Sequence, residues 1–322
     1  MKTETRLIEQ IDYFKVAEGV WYIKDIFVNI YMVSNPADNS WVLIDAGLKT
    51  TAKKIRSMAA EIFGEGSKPS CIILTHGHFD HVGSLKELAL EWNVPVFAHQ
   101  LEFPYLTGRS SYPPPDPSVG GGLMARMAWA FPNKPINMEG LLTPMPAFGE
   151  VPFLQEWRYY LTPGHAPGHI SLFRSHDKVL IAGDAILTTK MESVFSVMFQ
   201  AKVLSGPPKY FTYDWEQARA SVNLLWMLEP EIIASGHGRP MKGHEMRLSL
   251  NELDSEFDKL AIPRHGRYVE NPARVNATGV TYIPPKRFPV KTVVFAGVVL
   301  LAACSLLLLK KNKKKKQRPV YY

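Results

Sequence analysis

The chain has 322 residues, 46% of them hydrophobic, with 37 basic and 30 acidic side chains and a formal charge of +7. The whole excess sits in residues 310–322, which carry six lysines, one arginine and no acid, so the body is balanced and a basic nucleic-acid groove is excluded as the source of the charge. The two cysteines, Cys71 and Cys304, lie in separate apolar runs and exclude a disulfide framework.

Val20–Ile23, Ile30–Val33 and Trp41–Ile44 read as successive strands, with Asn35 to Asn39 turning the chain between the last two. Thr51–Ile62 follows as a helix with Ile55, Met58, Ala59 and Ile62 on one face. The apolar run Cys71–Leu74 is a buried strand, and Val82–Trp92 carries Leu85, Leu88 and Trp92 at helical spacing. Between them stands Thr75-His76-Gly77-His78-Phe79-Asp80-His81. Three histidines and one aspartate thus fall on a strand-to-helix turn, which can aim several donors at one point. Imidazole and carboxylate suit zinc and other first-row ions. Val94–Ala98 is a further strand.

Residues 101–153 break this rhythm. Pro113 to Pro115, Gly120 to Gly122 and the prolines from Pro132 to Pro152 argue against regular sheet. Inside lies Leu123–Phe131, with Met124, Met127, Ala128 and Phe131 at helical spacing. Two readings stay open: a packed excursion, or a lid that selects substrate. The strands resume at Trp157–Leu161, Ile170–Arg174 and Val179–Ala182. A helix over Asp214–Leu228, capped by Asp214, precedes the strand Glu231–Ala234, and a polar helix runs from about His244 to Leu260.

Residues 262–288 are rich in proline, arginine and asparagine and read as a linker. The eighteen residues Thr292–Leu309 carry no charge. As a helix they would span about 27 Å, near the bilayer's hydrocarbon thickness of roughly 30 Å. The expectation is a transmembrane helix over 289–309, a basic tail over 310–322, and a single-pass C-terminal anchor in the lipid bilayer. Residues 1–10 lack the apolar core of a signal peptide, which favours a cytoplasmic catalytic domain, whereas the basic tail pulls the other way.

The pattern His76-x-His78-x-Asp80-His81 resembles the signature of the metallo-β-lactamase superfamily. Its companion stretches occur in order: Asp45-Ala46-Gly47 after a strand, His165 within Thr162–His169, Gly183-Asp184-Ala185 after a strand, and His237 within Ser235–Gly238. The resemblance covers about residues 15 to 245. It implies an α/β fold, the four-layer αββα sandwich, as a catalytic domain over residues 1–261 interrupted by the 101–153 insertion.

The same resemblance implies a ligand set. His76, His78 and His165 would hold one divalent ion, and Asp80, His81 and His237 a second. Asp184 would bridge them, and Asp45 and His169 would support the ligands by hydrogen bonds. Two ions 3.5–4 Å apart are the usual arrangement for activating a shared water. Zinc is the expected metal, with iron and manganese compatible with the same donors. Asp80 and Asp184 are the expected catalytic residues, and Lys190, Tyr210 and Tyr213 are candidate substrate contacts. The full ligand set resembles that of glyoxalase-type hydrolases and quorum-signal lactonases, although Leu187 stands where the lactonases carry a tyrosine. The function expected is a membrane-anchored, dinuclear metal-dependent hydrolase acting on a small ester, thioester or lactone. A nuclease or a non-enzymatic metal-binding protein at the membrane is the alternative, and no nucleic-acid partner is expected.

Overall fold

The structure, a computed structural model, describes residues 13–286. Seven strands form the first sheet in sequence order: β1 (Tyr13–Ala17), β2 (Val20–Asp25), β3 (Val28–Asn35), β4 (Ser40–Ile44), β5 (Cys71–Ile73), β6 (Val96–Ala98) and β7 (Leu142–Pro144). The first four pair antiparallel, and β4 to β7 run parallel. The second sheet has the order β12-β11-β10-β9-β8, from β8 (Trp157–Leu161), β9 (Ile170–Arg174), β10 (Val179–Gly183), β11 (Ile232–Ser235) and β12 (Met241–Lys242).

Successive side chains on a strand point to opposite faces, and the packing follows that alternation. Val42, Ile44, Cys71 and Ile73 face the second sheet and meet Trp157, Leu172, Val179 and Ile181. Leu43 and Ile72 face outward against α1 (Ala52–Phe63) and, beyond the short α2 (Phe79–Val82), α3 (Leu85–Trp92). Leu180 and Ile233 face outward on the other side. The helices that follow α4 (Phe103–Leu106), α5 (Leu123–Arg126) and α6 (Val194–Phe199) cover them: α7 (Trp215–Met227), α8 (His244–Ser255) and α9 (Phe257–Leu260). The result is the expected αββα order of layers. Asp214 caps α7 as expected, its Oδ1 accepting from Gln217 N at 3.0 Å.

Five expectations change. Strand β1 was not foreseen, because Phe14 and Lys15 are exposed at a sheet edge and leave little apolar pattern. The 101–153 stretch was expected to exclude regular sheet, yet β7 extends the first sheet beside β6. Its proline is tolerated at that edge position. Leu123–Phe131 is two short turns, α5 and a 3-10 turn at Ala128–Ala130, and not one helix.

The described part of the segment read as a linker, residues 262–286, is folded against the domain. It forms a hairpin of β13 (Arg274–Asn276) and β14 (Gly279–Tyr282) that packs on the insertion. Tyr268 donates to Pro114 O at 2.7 Å, and Val280 N donates to Ser110 Oγ at 3.1 Å. Gly279 has φ 115°, and a Cβ there would lie 2.3 Å from Ser110 Cβ. Glycine at 279 permits this close packing.

The expected transmembrane helix and single-pass anchor are also corrected. Among the described residues no helix is long and apolar enough to cross a membrane. The stretch 289–309 and the tail 310–322 lie outside the described residues.

Leu43 is fully buried between β4 and the helix layer. Leu43→Ala should lower unfolding free energy by about 2–5 kcal/mol in denaturant titration, as cavity-forming core truncations do. Leu90→Ala, at an exposed helix position, should change it by about 0.5 kcal/mol or less.

Candidate metal centre

The cluster forms where strand ends from both sheets meet. The loop after β5 carries His76 and His78, and α2 carries Asp80 and His81. The β8–β9 loop carries His165, the end of β10 leads to Asp184, and the end of β11 leads to His237. All seven side chains are buried. Three overlapping groups could hold a metal: His76, His78 and His165; His76, His81 and Asp184; Asp80, His81 and His237. Within each group the ligand atoms lie within 4.8 Å of one another.

Nitrogens that would repel as bare lone pairs face each other. His78 Nδ1 is 2.8 Å from His165 Nε2, which is 3.2 Å from His76 Nε2. Asp184 Oδ2 lies 3.1 Å from His237 Nε2 and 3.5 Å from His165 Nε2, while Oδ1 is 3.6 Å from His81 Nε2. His81 Nε2 and Asp184 Oδ1 are buried without a hydrogen-bond partner. Such atoms are costly unless something else satisfies them, and a divalent cation would. Space for it depends on Gly236, where a Cβ would sit 2.0 Å from Asp184 Oδ1.

The supporting hydrogen bonds fix which ring nitrogen is free. His81 Nδ1 donates to Asp45 Oδ2 at 2.8 Å, leaving Nε2 toward the cluster. Asp45, at φ 64°, also accepts from Thr75 N and Thr75 Oγ1 at 2.8 and 2.7 Å. His237 Nδ1 donates to Phe27 O at 2.7 Å. His169 lies beside the cluster, its ring 5.1 Å from that of His76. Its Nδ1 donates to Thr162 Oγ1 and its Nε2 accepts from Asp184 N, both at 2.8 Å. Asp45 and His169 thus each hydrogen-bond to a residue of the cluster, Asp45 to the His81 ring and His169 to the Asp184 amide.

Burial holds His76, His78 and His165 below the ordinary imidazole value, His78 at about 3, so all three are neutral donors at pH 7. Burial also opposes charge on His81, but Asp45 and Asp184 outweigh it and raise His81 to about 10. Burial works against the charge of Asp184 as well, and His237 and His81 outweigh it, holding this carboxyl below the usual range. Burial pushes Asp80 upward. A proton on His81 thus stands where a cation would serve the same carboxylates.

Of the candidate substrate contacts, Lys190 is exposed, and Tyr210 is buried with its ring 5.8 Å from Phe131 and 5.0 Å from Phe211. Tyr213 packs in a different cluster with Tyr268 and Ala273. Sequence reasoning missed Glu102. This fully buried carboxylate accepts from Gly77 N at 2.8 Å and Gly168 N at 2.7 Å, and from the Tyr112 hydroxyl. It ties the His76–His78 loop to the His165 loop. Burial pushes it up to about 7 against the pull of those donors. The signal was one acid inside the apolar run Leu101 to Leu106.

Comparison with known proteins agrees with this geometry. Residues 23–237 match the metallo-beta-lactamase superfamily. The chain is 44% identical over 248 residues to the probable metallo-hydrolase YflN of Bacillus subtilis (strain 168), covering 77% of this chain and 94% of that one. It is 28% identical over 169 residues to the hydroxyacylglutathione hydrolase GloC of Haemophilus influenzae, covering 52% and 68%. Among solved structures, a metallo-beta-lactamase family protein of Thermus thermophilus shares the fold with a TM-score of 0.52 at 20% identity, over 76% of this chain and 81% of that one.

Two supporting carboxylates make the same prediction from different sides of the cluster. Asp45→Ala and Glu102→Ala should each weaken metal retention by about ten- to hundredfold, read by chelator competition followed by elemental analysis.

Proposed function

The chain belongs to the metallo-beta-lactamase superfamily and is a metal-dependent hydrolase, and on that premise we propose that it holds two divalent ions and hydrolyses an ester, thioester or lactone. The observation that carries the proposal is the overlap of the three ligand groups, in which His76, His81 and Asp184 link the other two. His76, His78 and His165 would hold one ion, and Asp80, His81 and His237 the other. Asp184 would lie between them, since its Oδ2 faces both His165 and His237. Nitrogen and carboxylate donors in this number suit zinc best, with iron and manganese compatible. Bound ions supply Lewis acidity to an acyl carbonyl and make water nucleophilic near neutral pH.

The protein's own residues prepare that chemistry. Asp45 and the Phe27 carbonyl fix His81 and His237 in the tautomers that leave Nε2 free. Asp80 would be the group that passes a proton to the leaving oxygen or sulfur. In the net reaction water adds to the acyl carbon, the bond to oxygen or sulfur breaks, and the leaving atom gains a proton. The relative named for hydroxyacylglutathione hydrolysis supports an acyl substrate. Tyr210 is the candidate substrate contact that the packing favours, as part of the apolar wall beside His78.

Protein purified without chelator should contain close to two first-row ions per chain by elemental analysis. Asp184→Ala should lower both metal content and turnover, the latter on the order of hundredfold or more, beyond what loss of a merely supporting partner costs. Full activity with a single ion would end the two-ion reading. Cleavage of phosphodiesters with no turnover of any ester, thioester or lactone would end the acyl reading.

A further inference from the structure

Four phenylalanines form an arc around the candidate metal centre. Phe27 lies 5.9 Å from the His237 ring and 6.5 Å from Phe79. Phe79 and Phe131 stack at 6.0 Å and 19°. Phe131 is 6.0 Å from Phe211, which is 4.9 Å from the His78 ring. The arc therefore begins on a ligand of one metal group and ends on a ligand of another. All four rings are only partly buried, so each keeps surface for a ligand.

The arc continues onto an exposed apolar apron. Phe27, Phe131 and Phe211 pack with Met124 and Val197 against one buried cluster that includes Ala125, Ala128 and Tyr210. On the outside of α5, α6 and the turn at Ala128–Ala130 stand Leu123, Met127, Trp129, Phe195, Met198 and Phe199, each between 47% and 74% exposed. The two segments touch. Met124 N donates to Glu192 O at 3.2 Å, and a Cβ on Gly122 would fall 2.1 Å from that same oxygen. Residues 193–200 carry no charge, and residues 117–131 carry one, Arg126. Scattered exposed hydrophobes need no explanation, but six on adjoining segments, continuous with the wall of a buried polar site, mark a ligand surface.

We propose that arc and apron form one binding track for the aliphatic chain of the substrate. The acyl carbonyl lies at the metal centre, and the chain runs past Phe211 and Phe131 and out over α5 and α6. The inference rests on the acyl-hydrolase reading and narrows its substrate to esters or thioesters of medium- to long-chain acids. A short polar acyl group would leave the apron without a role. An aliphatic chain covers it and carries no polar group that would need a partner there.

The test uses the full-length, metal-loaded protein and p-nitrophenyl esters from butyrate to dodecanoate, each below its micelle-forming concentration. The expected result is a rise in kcat/KM of roughly twofold per added methylene, below the about fourfold that complete burial of a methylene would give at about 0.8 kcal/mol. The double variant Met127→Ser with Phe199→Ser should flatten that rise without lowering metal content. A second arm needs no turnover. Decanoate, but not butyrate, should shift the emission of Trp129 to the blue, taken as the difference from Trp129→Phe, and the double variant should abolish the shift. Hydrolysis independent of chain length, with no emission change, overturns the track and leaves the hydrolase reading standing. Absence of hydrolysis for every ester, thioester and lactone sinks the acyl-hydrolase reading instead. The decanoate titration then decides the apolar site alone, a shift supporting it and no shift overturning it.

Discussion

Seven buried histidine and aspartate side chains converge with too few hydrogen-bond partners to satisfy them, and the rest of the architecture exists to hold them there. His81 Nε2 and Asp184 Oδ1 have no hydrogen-bond partner, and the nitrogens of His78, His165 and His76 confront one another. In a buried place each such atom costs roughly 1–3 kcal/mol unless satisfied. The cost is tolerable only if a cation completes the arrangement. Asp45 and the Phe27 carbonyl keep the rings of His81 and His237 from turning toward cheaper hydrogen bonds, while His169 and Glu102 hold the backbone beside the cluster. Gly236 keeps the space clear.

Much of this was legible in the sequence because metal ligands are polar residues in apolar surroundings at strand ends. The run from His76 to His81, with Asp184 and His237 directly after β-rich stretches, carries its own contrast. The two sheets and their helices were legible for the same reason. Leu43 and Val42, or Leu180 and Ile181, are apolar on both faces, which only a sheet covered on each side requires.

What escaped notice was set by tertiary partners. Glu102 looks like an ordinary acid until Gly77 and Gly168 are seen to point their amides at it. Strand β7 contains a proline and exists only because β6 offers an edge. The hairpin after residue 273 has linker composition, and its order comes from Ser110 and Pro114, more than 150 positions away in sequence. The anchor was inferred from one apolar run taken alone, and no helix among the described residues supports it.

The division of the centre between the two sheets has a consequence for how the protein comes into being. The first sheet is completed by residue 144, and its strands neighbour one another in sequence order. A growing chain can therefore finish it before Asp184 and His237 have been synthesised. During that interval the inner face, with Val42, Ile44, Cys71 and Ile73, has no second sheet to cover it. Nor can the metal rescue it, because the ligand set is incomplete until β10 and β11 dock. The vulnerable stage of biogenesis thus precedes metal acquisition, and protection against aggregation at that stage must come from speed of synthesis or from chaperones.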